Sequence, residues 1–264
     1  MPLSLAIHGA AGRMGQRLIA LAAADPALAI TAALESPASS RLGQDAGSVA
    51  GIEPLGVPLT AAWATPPAVV IDFSVPAAGM AIARVCATAG VPLVLATTGL
   101  EPAEQAEIRQ IATRIPLLWS PSMSLTVNLT MKLVELAARA LADHPTGADV
   151  EILERHHRMK EDAPSGTALK FGQIVAAAMG QTAHVHGREG RPGKRPHGEI
   201  GYHAIRTGDN PGEHTIIFGL LGETLELTVR ASNRDCYASG ALAAAKFLAG
   251  KPPGLYGMQD VLGL

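Results

Sequence analysis

The stretch Ser4-Leu5-Ala6-Ile7-His8-Gly9-Ala10-Ala11-Gly12-Arg13-Met14-Gly15 decides the fold class. A short apolar run stops at Gly9, glycines recur at 12 and 15, and an apolar-periodic segment continues to about Ala24. This is the pattern of strand, glycine turn and helix. Gly9 permits a tight turn, Gly12 lets a backbone approach closely, and Gly15 lets the helix lie against the sheet. The first N–H groups of such a helix attract anions. Gly9, Ala10, Ala11, Gly12, Arg13 and Met14 are therefore candidates for holding a dinucleotide diphosphate. Ala11 stands where the usual fingerprint has its middle glycine, so the pattern alone also fits a purely structural turn.

The next strand strengthens the cofactor reading. Ala29 to Leu34 is apolar and ends in Glu35, an acidic side chain placed to accept hydrogen bonds from an adenosine ribose. A solvated strand-end carboxylate is the plainer reading of the same residue. Arg41 would meet a 2′-phosphate, so the expected cofactor is NADH or NADPH, with a slight lean to NADH.

Glu35 to Pro67 is loop-rich and shows no pattern that assigns it. Beyond it, strands at Ala68–Ser74, Val91–Ala96 and Ile115–Trp119 alternate with helices at Pro76–Ala89 and Glu101–Arg114. Such alternation means a parallel sheet, with ligands bound beyond the carboxyl ends of its strands. That rule adds Ala96, Thr97, Thr98, Ser120, Pro121, Ser122 and Met123 to the cofactor candidates.

The densest chemistry lies in Glu154-Arg155-His156-His157-Arg158-Met159-Lys160-Glu161-Asp162-Ala163-Pro164-Ser165-Gly166-Thr167. Imidazole holds or releases a proton near neutral pH, and a lysine ammonium donates one. Pro164 to Thr167 reads as a turn into a helix capped by Ser165. Together these parts would grip a carboxylate and hand it a proton. Taken one at a time, they describe a polar strand end and a capped helix. Around them, Thr126–Leu141 and Ser165–Met179 read as helices and Val150–Glu154 as a strand. Gln181–His197 reads as loop, its histidines lacking a spacing that fixes a metal. Glu199–Arg206 and His214–Arg230 read as strands joined by the turn Asp209–Gly212, and Ser239–Leu248 as a helix.

The change from β/α alternation to runs of β predicts two folding units. Residues 1–124 would form a Rossmann-type α/β domain and 125–233 a smaller α+β domain, and the Ser239–Leu248 helix could return to the first. Apolar residues make up 48% of the 264 but aromatics only 3%, so the core must be built from Ala, Val, Leu and Ile. The formal charge of −2 gives no global pull toward nucleic acid or anionic lipid. The longest uncharged run, Pro54–Ile71, holds four prolines and is no membrane helix. No secretory signal is evident, and Cys86 and Cys236 make no disulfide framework, so a reducing cytoplasm is expected.

The segment His156 to Ala168 resembles the signature of the dihydrodipicolinate reductase family, also called 4-hydroxy-tetrahydrodipicolinate reductases, of lysine and diaminopimelate biosynthesis. The likeness extends to Gly9-Ala10-Ala11-Gly12-Arg13-Met14-Gly15, Asp72-Phe73-Ser74, Thr97-Thr98-Gly99, Gly212-Glu213-His214 and the 234–240 region. It implies a Rossmann domain, a substrate domain whose mixed sheet forms a homotetramer, a final segment, 234–264, that packs back on the Rossmann domain, and reduction of a cyclic dicarboxylate by NAD(P)H with loss of water. By the same resemblance His156 and Lys160 are catalytic, and His157, Ser165, Gly166 and Thr167 bind substrate. Val75, Ala96, Ser122 and Thr126 depart from the family pattern around the cofactor. A related amino- or imino-acid dehydrogenase, such as aspartate dehydrogenase, and a nucleotide sensor without catalysis are the alternatives.

Overall fold

The computed structural model describes residues 1–264, which divide into two compact units, 1–125 with 234–264 and 126–233. The first unit opens with β1 (Leu3–His8), α1 (Arg13–Ala23) and β2 (Leu28–Leu34). Gly9 has φ +76°, and a Cβ on Gly15 would lie 2.2 Å from Gly9 O and 2.7 Å from Ala10 Cα. The glycine turn is thus required by close packing of strand against helix. Replacing Gly15 by alanine drives a methyl into backbone on both counts and is expected to cost about 3 kcal/mol. Thermal melting should fall by roughly 6–12 °C; an unchanged melting curve would count against so tight an approach.

The loop-rich stretch Glu35–Pro67, which the sequence leaves unassigned, contains α2 (Ala46–Val49) and β3 (Leu59–Thr60). The Asp45 carboxylate organises it by accepting the N–H groups of Ser48, Leu55 and Val57, a long-range pattern with no periodic signature. Alternation then resumes with β4 (Val69–Asp72), α3 (Pro76–Ala89), β5 (Leu93–Leu95), α4 (Pro102–Ile111) and β6 (Pro116–Trp119). Local punctuation explains the helix ends. Pro76 sits in the first turn of α3, Gly90 closes it in the left-handed region at φ 70°, and Glu101 and Glu104 form a capping box on α4.

The second unit holds α5 (Leu125–Leu141), β7 (Asp149–His156), α6 (Gly166–Met179), β8 (Ala183–His186), β9 (Glu199–Arg206), β10 (Glu213–Gly219) and β11 (Thr224–Arg230). Its strands order as β11-β10-β7-β9-β8 in a mixed sheet, with β7 antiparallel to β10 and parallel to β9. Val150, Ile152, Ala168, Phe171, Val175, Ile200, Ile216 and Phe218 build its core. Two sequence expectations need correction here. Part of the polar 181–197 stretch is the edge strand β8, whose partner β9 supplies the order that its own composition does not. The single strand expected over His214–Arg230 is a hairpin, turned at Leu220–Glu223 with Gly222 at φ 92°.

The chain returns to the first unit as α7 (Asp235–Leu248), β12 (Gly254–Tyr256) and α8 (Met258–Leu262). α7 starts four residues before the Ser239 expected from the apolar pattern, and β12 and α8 are too short to show a pattern of their own. The completed sheet runs β12-β6-β5-β4-β1-β2-β3, parallel at every pairing. Leu5, Ile7 and Ile71 face the α1 and α7 side, while Ala6, Val70 and Leu93 face the α3 and α4 side. Both faces are therefore covered, as the α/β reading expects. No helix is long and apolar enough to cross a membrane.

Candidate active site

In the first unit the carboxyl ends of the strands gather the cofactor candidates. Gly9 N–H and Ala10 N–H both donate to Leu34 O at 3.0 Å, and Gly12 N–H donates to Gly9 O at 3.0 Å. Ala11 N–H donates to Glu35 Oε2 at 2.9 Å, and Ser36 N–H to Glu35 Oε1 at 2.9 Å. The turn's own N–H groups are thus spent on the fold. Those of the first turn of α1, beginning at Arg13 and Met14, are left without a side-chain cap and can meet an anion. Gly9, Ala11, Gly12, Glu35 and Arg41 share one cleft of about 1080 Å³, which Ser74 and Val75 also line. Ala10 is fully buried and shapes the turn from behind.

His8 and Asp72 face each other in register across β1 and β4. Asp72 is fully buried. Its carboxylate meets His8 Nδ1 at 2.6 Å, Ser74 Oγ at 2.6 Å and Thr97 Oγ1 at 2.5 Å. Thr97 is therefore a structural clasp for Asp72, and Ala96 N–H donates to Asp72 O at 3.0 Å. Thr98 and Pro121 are exposed, Ser122 is half-buried, and Met123 is buried. Ser120 Oγ donates to Ser122 O at 2.8 Å. A Cβ on Gly9 would meet Phe73 O at 2.7 Å, so this end of the sheet tolerates only a bare backbone. The cradle, the uncapped helix start and the Glu35 and Arg41 side chains fit a nicotinamide dinucleotide.

In the second unit β7 buries alternate residues: Val150, Ile152, Glu154 and His156. Period-two alternation puts all four on one face, which changes from apolar to ionisable toward the carboxyl end. Glu154 is fully buried and makes four contacts. It accepts from His156 Nδ1 at 2.5 Å, from Arg206 at 2.8 and 2.7 Å, and from Ser165 N–H at 3.1 Å. Register supplies the partners, for Arg206 lies beside His156 on β9 and His214 opposite Glu154 on β10. Burial pushes the Glu154 carboxyl up, but Arg206 and His156 together hold it below the ordinary carboxylate range.

With Nδ1–H given to Glu154, the free nitrogen of His156 is Nε2. Burial lowers the affinity of His156 for a proton, and Glu154 opposes this only in part. Lys160 Nζ donates to both oxygens of Asp162, at 2.7 and 3.0 Å. His157 is anchored through N–H to Asn210 O at 2.8 Å, and its Nδ1 is buried without a hydrogen-bond partner. Ser165 caps α6, its Oγ accepting Ala168 N–H at 3.2 Å, and Gly166 and Thr167 form the first turn. The sequence reading gave no role to Glu154, Arg206 or His214. The i, i+2 spacing of Glu154 and His156 was a signal for the first; the others became visible only through strand pairing.

The family models for the dihydrodipicolinate reductase N-terminus and C-terminus match residues 3–123 and 126–262. The chain belongs to the dihydrodipicolinate reductase family. It is 56% identical over 271 residues to the 4-hydroxy-tetrahydrodipicolinate reductase of Rhodopirellula baltica, covering 100% of this chain and 97% of that one. Identity to the enzyme of the same name from Alkalilimnicola ehrlichii is 48%, covering 100% of both. Among solved structures, dipicolinate-bound dihydrodipicolinate reductase from Paenisporosarcina sp. TG-14 superposes with a TM-score of 0.77 at 24% identity, over 98% of this chain and 99% of that one. Amine dehydrogenase from Mycobacterium smegmatis superposes at 0.65 with 14% identity, over 97% and 95%, a likeness of fold. As a dihydrodipicolinate reductase family member the chain is an NAD(P)H-dependent oxidoreductase, and its N-terminal domain binds the nucleotide.

Proposed function

We propose that the chain reduces 4-hydroxy-tetrahydrodipicolinate to tetrahydrodipicolinate with loss of water, in lysine and diaminopimelate biosynthesis, using the β7–α6 cluster as its acid and carboxylate-binding machinery. The reading rests on one observation: a single buried carboxylate, Glu154, holds the His156 imidazole, the Arg206 guanidinium and the Ser165 backbone at once. The glycine turn, the start of α1 and Glu35 would hold NAD(P)H, which would supply the hydride. His156 presents Nε2 to the substrate as proton donor or acceptor, and its weakened hold means that the protonated ring gives its proton up readily. Lys160 is the second proton donor. Its tie to Asp162, whose side chain is 61% exposed, is weak enough to exchange for a substrate carboxylate. Ser165, Gly166 and Thr167 receive a carboxylate at the start of α6, and His157 contacts substrate beside them.

The same reading includes four subunits, carried over from the family resemblance, which light scattering would test, and the cytoplasmic setting expected from the cysteine usage. The direct test of function generates the unstable substrate in place and follows oxidation of NADH and of NADPH by absorbance. Oxidation that needs the complete mixture, and competitive inhibition by pyridine-2,6-dicarboxylate, are expected. Cofactor binding without any substrate-dependent oxidation would return the chain to the nucleotide-sensor reading.

A further inference from the structure

His214 lies on β10 and is 5% exposed, with its ring edge-on to His156 at 5.2 Å and tilted against Phe171 at 5.9 Å. These contacts fix the ring so that Nε2 points at Ser165 Oγ, 3.0 Å away. A serine hydroxyl has one hydrogen and two lone pairs. One lone pair of Ser165 is taken by Ala168 N–H in the helix cap. Two arrangements of the remaining hydrogens are open. If Ser165 donates to a bare Nε2, its hydrogen is consumed and only a lone pair is left, which repels an anion. If Nε2–H donates to Ser165, both lone pairs are filled and the hydroxyl hydrogen is the one polar feature still free.

We infer that His214 is a positioning residue for the substrate: by donating Nε2–H to Ser165 Oγ, it turns the Ser165 hydroxyl hydrogen outward to the incoming carboxylate. The inference rests on the proposed carboxylate site at Ser165–Thr167. Burial, the largest influence, pushes His214 down to about 4, so at neutral pH the ring carries a single proton. That proton can sit on Nε2 without placing a second positive charge beside His156. Arg206, Lys160, Glu154 and Glu213 are the charged groups around the pair. Glu154 holds Ser165 from its backbone side, so Glu154 fixes where Ser165 sits and His214 fixes how its hydrogen points.

The test titrates the whole protein, saturated with NADH, with pyridine-2,6-dicarboxylate in a calorimeter. Ser165→Ala and His214→Phe are each expected to weaken binding about tenfold. The double variant should also be about tenfold weaker, not a hundredfold, because both changes remove the same donated hydrogen bond. His214→Gln, which keeps an N–H donor, should recover part of the loss. Additive losses, or full-strength binding by His214→Phe, would overturn the role of His214 alone. Full-strength binding by Ser165→Ala would overturn the carboxylate site itself and this inference with it. A measurement on the unaltered protein covers the case in which a variant fails to fold. With ¹⁵N-labelled histidine, the bound complex should show His214 protonated at Nε2 and bare at Nδ1; the opposite tautomer would refute the inference.

Discussion

His156→Ala should lower turnover by about a hundred- to ten-thousand-fold, the range that loss of a positioned acid–base group produces, while the protein remains folded. The fold is expected to survive because Glu154 is not orphaned by the change. Arg206 still meets it at 2.8 and 2.7 Å, and Ser165 N–H at 3.1 Å. KM for the dicarboxylate should move less than kcat, since the carboxylate partners on α6 are untouched. Lys160→Ala should also depress kcat, with a stability change under about 1 kcal/mol because it loses only an ion pair to a surface carboxylate. Steady-state kinetics beside thermal melts separate the two effects. Near-normal turnover in a folded His156→Ala protein would remove His156 from the chemistry.

The second large effect is on stability. Glu154→Leu should destabilise the protein by about 3–5 kcal/mol, the cost of removing one partner from a buried ion pair. Arg206, 19% exposed, would face an apolar side chain, and Ser165 N–H would lose its acceptor. Urea unfolding would show the midpoint falling with little change in slope; an unchanged midpoint would mean that Arg206 and the Ser165 N–H find other acceptors, water included, at no cost. Acid should act in the same direction in the unaltered chain. Glu154 is depressed in the folded state, so its contribution is present above its unfolded pKa and is lost as pH falls through the folded one. His214 is held near 4 against an ordinary 6.5, so between those values the unfolded chain binds a proton that the folded chain refuses. Stability should therefore drop by about 3 kcal/mol for His214 alone as pH falls from about 6.5 to about 4.

What could be read in advance follows the range over which each signal acts. Gly9 and Gly15, Pro76 at the start of α3 and Ser165 before α6 act within a turn or two of themselves, so the elements they bound were legible. The edge strand β8 and the short β12 were not, because each is ordered by a neighbour in the sheet rather than by its own pattern. The same division runs through the active-site candidates. His156, His157, Lys160 and Ser165–Thr167 lie in one continuous run and were identified from it.

By itself, then, the sequence determined a parallel α/β nucleotide domain, a second unit of runs of β, and the segment proposed to carry the chemistry. Only the tertiary structure decided which side chains complete that segment. Arg206 meets Glu154 across 52 residues, His214 meets Ser165 across 49, and His8 meets Asp72 across 64. Strand register, set by the burial of whole faces, brings the first and last pairs together, and the packing of α6 against β10 brings the second; no local spacing encodes either. A buried carboxylate must find its hydrogen bonds, but where they come from is settled when the sheets form.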